Sequence, residues 1–91
     1  MSKKEEYEVL QKAIDTWGVL SQVMMVFEEC GELISILAKA HRGRAENNAA
    51  IITEIADVSI MVEQMALYFG YDEYLAERER KLERLKERLN K

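Results

Sequence analysis

The sequence predicts an all-α fold of four helices, with the second and third forming a long antiparallel central pair. Two observations lead there. Apolar residues recur at helical spacing through most of the chain. No proline and only four glycines in 91 residues leave few places where a helix must break. Gly18, Gly43 and Gly70 fall between the periodic stretches, and Gly31 falls inside one.

The first helix is expected over residues 4–16, with Tyr7, Leu10 and Ile14 on one side. The second is expected over residues 19–40. Its Leu20, Val23, Met24, Phe27, Gly31, Ile34 and Leu37 follow the i, i+3, i+4, i+7 rule. The His41-Arg42-Gly43-Arg44 segment ends it, with Gly43 as the residue past the cap and basic groups at the negative end of the helix dipole.

The third helix is expected over residues 48–69, capped by Asn47 or Asn48. Ile51, Ile55, Val58, Val62, Met65 and Phe69 form one stripe, and Ile52, Ala56 and Ile60 form a second. A helix apolar on two sides is expected to be buried on two sides. The fourth is expected over residues 72–89. Its Leu75, Leu82, Leu85 and Leu89 make a narrow seam for a partner. The methionines Met24, Met25, Met61 and Met65 are expected in the core.

Residues 1–91 form one domain, a four-helix bundle, and a chain this short closes only a limited core by itself. The two-sided third helix and the leucine seam both call for covering surfaces. Self-association is the simplest supplier, so a homo-oligomer, dimer or tetramer, is expected.

Seventeen acidic and thirteen basic residues give a net charge of −4, which excludes a generally basic nucleic-acid coat. With 48% apolar residues the chain is not disordered, and its apolar runs are too short to span a bilayer, so no membrane partner is expected. The opening MSKKEEYEVL has lysines without an apolar stretch behind them, so it is not read as a secretory leader. One cysteine rules out an internal disulfide framework and suits a reducing interior, so a cytoplasmic location is expected.

Two acidic clusters interrupt the central helices. The second helix carries Glu28-Glu29-Cys30-Gly31-Glu32, and the third carries Glu54-Ile55-Ala56-Asp57. Glu29 and Glu32 lie about 60° apart on their helix, as do Glu54 and Asp57 on theirs. Like charges so placed repel, and more strongly when desolvated, unless a cation neutralises them. With the turn centred near Arg44, antiparallel packing sets the Glu29/Glu32 pair beside the Glu54/Asp57 pair. Hard oxygen ligands without clustered His or Cys point to Mg²⁺, with Mn²⁺ as a substitute, and away from zinc. A di-iron bundle needs Glu-x-x-His motifs, and the single histidine, His41, does not supply one.

This pattern, EExxE followed after 21 residues by ExxD on the next helix, resembles the signature of the MazG-like all-α nucleoside triphosphate pyrophosphohydrolases. Trp17-Gly18, Gln22, Glu32-Leu33, Glu54-Ile55-Ala56-Asp57-Val58 and Lys81-Leu82-Glu83-Arg84-Leu85 are similar to the small bacterial and phage members. The resemblance covers about residues 10–89. It implies Mg²⁺-dependent hydrolysis of an NTP or dNTP to the monophosphate and pyrophosphate. It also implies that Glu29, Glu32, Glu54 and Asp57 are metal ligands, with Glu28 supporting them or orienting water.

Further substrate contacts are expected from Lys39, which shares a helix stripe with Glu28, Glu32 and Ser35 and suits a phosphate. Lys81 and Arg84 of the fourth helix could close over phosphates, from a neighbouring subunit, although simple surface charge is the favoured reading of both. Trp17 offers stacking and Gln22 an amide to a base, although a tryptophan there also suits a hinge packed into the core. Gly31 between the acids suggests a close helix approach. A different class of function, a non-catalytic helical interaction module built on the leucine seam, competes with the enzyme.

Overall fold

The computed structural model describes residues 1–43 and 48–91. Four helices follow one another: α1 Lys3–Trp17, α2 Val19–His41, α3 Asn48–Phe69 and α4 Tyr71–Leu89. There is no strand among the described residues. The expected helix limits are met to within one residue at each end. The Asn47 cap and the turn around Arg44 lie outside the described residues.

Each boundary has a local cause. The Ser2 hydroxyl accepts the Glu5 backbone N–H at 3.1 Å, and Glu5 and Glu6 set negative charge on the first turn of α1. Gly18 takes φ 87°, so the chain turns there with no helical residue between α1 and α2. Gly70 does the same between α3 and α4 at φ 140°. Past α2, the Arg42 and Gly43 N–H groups donate to the Ala38 and Ala40 carbonyls, and Gly43 stands in the left-handed region.

α2 and α3 make the main packing pair, and α1 lies against both. Leu10 and Ile14 of α1 are buried with Met61 and Ala66 of α3. Two amides, Gln22 and Gln64, are buried among them. Three contacts tie the start of α1 to the far end of α3 and to α4. Lys3 lies 3.8 Å from Glu63, the Tyr71 hydroxyl reaches Glu63 at 3.4 Å, and the Tyr7 and Tyr71 rings meet edge-on at 4.9 Å. No described helix is long and apolar enough to cross a membrane.

The packing is looser than the expected bundle. No described side chain is fully buried. α3 is not buried on two sides: its first stripe is half open, with Ile55, Val62 and Phe69 exposed, and its second, Ile52, Ala56 and Ile60, is exposed throughout. Of the four methionines expected in the core, only Met61 is buried, and Met24 is exposed. The backbone of α4 approaches only α3, and none of its residues is buried. The reason is surface area: the two shorter helices, α1 and α4, cannot cover two long helices apolar on opposite sides.

Candidate metal centre

α2 and α3 bring the acidic pairs together. One carboxylate oxygen each of Glu29, Glu54 and Asp57 lies within 4.8 Å of the other two. Glu32 stands beside Glu54 at one side, the two lining the same hollow. Glu29 meets both Glu54 and Asp57, and Glu32, one turn on, lies by Glu54. Each pair shares a face because three residues turn a helix through about 300°.

The electrostatics are those of an uncompensated acidic cluster. Glu29 and Glu54 are half-buried, and the Oε2 of each is closed to solvent with no hydrogen-bond partner. Burial holds the Glu29 carboxyl above its ordinary 4.5, and the charges of Glu32, Asp57, Glu54 and Glu28 push the same way. Burial likewise raises Glu54, followed by the Glu32 and Asp57 charges. A buried oxygen without a donor is an unmet need for a positive partner. The donor set is all oxygen, from three carboxylates with a fourth adjacent, which fits a hard divalent cation such as Mg²⁺ or Mn²⁺.

Beside the cluster, a hollow of about 230 Å³ is lined by Glu32, Ser35, Ile36, Lys39 and Glu54. Lys39 therefore faces the acidic site from the next two turns of α2, as its shared stripe with Glu32 predicts. Glu28 is exposed and stands outside the triad, near enough to add its charge to Glu29.

Other candidates are placed differently. Trp17 is 64% exposed, so it is not a hinge packed into the core. It lines an open groove between α1 and α3 with Ala13, Thr16, Ile60 and Gln64. Gln22 is buried in the interior, 4% exposed, and lines none of the described hollows. Lys81 and Arg84 are exposed on α4, and α4 does not approach α2 within the chain, so the monomer does not bring them to the acids. Gly31 is exposed, and a Cβ added there meets nothing within 4 Å, so no helix of the same chain closes on it.

Gln64 is a residue that sequence reasoning missed. Its Oε1 is buried without a partner, and its Nε2 has only the Met61 sulfur at 3.9 Å. Its signal was an amide seven residues beyond Asp57, on the same face of a mostly apolar helix.

No family model matches this chain, and no curated protein and no solved structure matches it either. The fold and site define an all-α chain with a carboxylate cluster between its two long helices.

Proposed function

We propose that this protein is a Mg²⁺-dependent nucleoside triphosphate pyrophosphohydrolase, converting an NTP or dNTP and water to the monophosphate and pyrophosphate. The observation that carries the reading is the Glu29, Glu54 and Asp57 cluster, with two carboxylate oxygens closed to solvent and unpartnered. The EExxE and ExxD spacing supports the same reading.

Glu29, Glu54 and Asp57 would hold the cation, with Glu32 completing the set. A cation there supplies charge neutralisation for phosphate oxygens and a more acidic water. The chain's own groups do the rest. Lys39 holds a phosphate through its ammonium from the hollow it shares with Glu32 and Glu54. Glu28, outside the triad, orients the attacking water and takes its proton. No covalent intermediate is needed, because water attacks the phosphoanhydride directly.

A second reading, a non-catalytic helical interaction module, is favoured by α4, whose leucine seam has no cover within the chain. The two are separated by measuring pyrophosphate release from a panel of NTPs and dNTPs with Mg²⁺. The enzyme releases it, and EDTA and Glu32→Ala abolish the release. The module releases none from any substrate.

A further inference from the structure

We propose that a second copy of this chain seats on the outer face of α2, with the two α2 helices antiparallel and Phe27 of each copy packed over Gly31 of the other. The inference stands apart from the pyrophosphohydrolase reading.

α2 has an inner and an outer side. The inner carries Gln22, Glu29, Leu33 and Ile36, all buried or half-buried, with Glu29 meeting Glu54 and Asp57 of α3. The opposite side carries Leu20, Met24, Phe27, Gly31, Ile34 and Ala38, alternately four and three residues apart. That alternation is the heptad spacing of a helix that packs along its length against another helix. Yet within the chain the stripe is open: Leu20, Met24, Phe27 and Ile34 are 57 to 74% exposed. Trp17 extends it at one end, 64% exposed.

Gly31 supplies the second observation. A glycine inside a helix weakens it, since it orders the most flexible backbone and fills no space. Gly31 takes no left-handed conformation, and nothing within 4 Å in its own chain requires the missing Cβ. Its reason lies in whatever covers that face.

The stripe's own order says what that is. About a point midway between Phe27 and Gly31, the stripe pairs Phe27 with Gly31, Met24 with Ile34 and Leu20 with Ala38. The largest ring meets the residue with no side chain, and a long side chain meets a methyl at the outer layer. A face that is large-to-small complementary to its own reverse is what a two-fold interface needs. No charged residue lies on the stripe itself, and Glu28 stands at its edge. The antiparallel arrangement also opposes the two helix dipoles.

The area is of the right order. Side chains of this size expose about 150–200 Å² each when open, so these five offer roughly 500–600 Å². With Gly31, Ala38 and the flanking atoms, the face approaches the ~800 Å² per partner of a standard interface. Docking there makes α2 an inner helix, with α3 on one side and the second copy on the other.

The test is light scattering after size-exclusion chromatography, with protein at about 100 µM. Wild type is expected at twice the mass of one chain. Gly31→Phe sets ring against ring and is expected to weaken association at least 100-fold, with helicity kept by circular dichroism. Phe27→Gly combined with Gly31→Phe exchanges the two partners and is expected to restore the dimer. A cross-link tests the register without perturbing folding. In a Cys30→Ser background, Met24→Cys with Ile34→Cys is expected to give a disulfide-linked dimer. Those two positions lie about 15 Å apart along one helix, too far to bridge within a chain. A monomeric wild type would overturn the proposal. So would a dimer indifferent to Gly31→Phe, a double exchange that stays monomeric, or absence of the cross-link.

Discussion

Glu29 on α2 and Glu54 on α3 each turn one carboxylate oxygen, Oε2, into space closed to solvent where no donor meets it. Both carboxyls are held above their ordinary 4.5, first by burial and then by the neighbouring acids. Such a group binds its proton more tightly folded than unfolded. Stability therefore falls as pH rises from 4.5 through the raised values, and the cost persists above them. In metal-free protein, Glu54→Gln is expected to raise the melting temperature at about pH 8 and to leave it unchanged near about pH 4. Melting curves across that range check it, and a variant less stable than wild type at the higher pH contradicts it.

Ile14 is 6% exposed and ties α1 into the shared core with Leu10 and Met61. Ile14→Ala is expected to cost about 2–5 kcal/mol through lost burial and the cavity left behind. In a domain of this size each kcal/mol lowers the melting temperature by roughly 4–8 °C. Leu89, 75% exposed at the end of α4, provides the contrast. Leu89→Ala is expected to stay within about 0.5 kcal/mol of wild type. Urea denaturation of both variants measures the difference.

Most of the architecture was legible in the sequence because the chain's local signals agree. Gly18, Gly43 and Gly70 stand where the helices end, and the 3.6-residue pattern fills the spaces between them. The meeting of Glu29 with Glu54 and Asp57 was legible for a similar reason. Helical spacing sets each pair on one face, and two long helices joined by a short connection pair in opposite directions. Burial was not legible. Hydrophobic periodicity says which face seeks cover, and the same pattern describes a face covered by its own chain and one left for a second chain. Hence Met24 and a hinge-packed Trp17 read as core and stand exposed, while the leucines of α4, read as a seam for a partner, stand open within the chain. Gln64 was missed because its place on the face of Asp57, though readable, does not by itself say whether an amide there is buried or solvated.

Lys39 shares its hollow with Glu32 and Glu54 but carries the opposite charge to any metal ligand. Lys39→Ala is expected to remove a charge-assisted contact worth about 1.5–3 kcal/mol and so lower kcat/KM by roughly 10–100-fold. The loss falls mainly on KM, and the effect of Mg²⁺ on the melting temperature is expected to stay as in wild type. Steady-state kinetics paired with thermal melting separates the two effects.

Glu28 divides binding from turnover in the opposite way. It is exposed and lies outside the triad. Glu28→Gln is expected to keep Mg²⁺ binding and nucleotide KM while kcat falls by about 10²–10⁴-fold, the usual effect of losing a general base. A variant that loses metal binding along with turnover would place Glu28 among the ligands instead.

The most direct test of the metal centre is a Mg²⁺ titration followed by thermal melting at neutral pH, on wild type and on Glu54→Gln. Cation binding to the folded chain raises the melting temperature with concentration, by about 2.7 kcal/mol of stability at a hundredfold excess over Kd. Wild type is expected to show that rise, and Glu54→Gln to lose most of it. A wild-type melting temperature that ignores Mg²⁺ and Mn²⁺ alike would mean that Glu29, Glu54 and Asp57 hold no cation, and would contradict the proposed function.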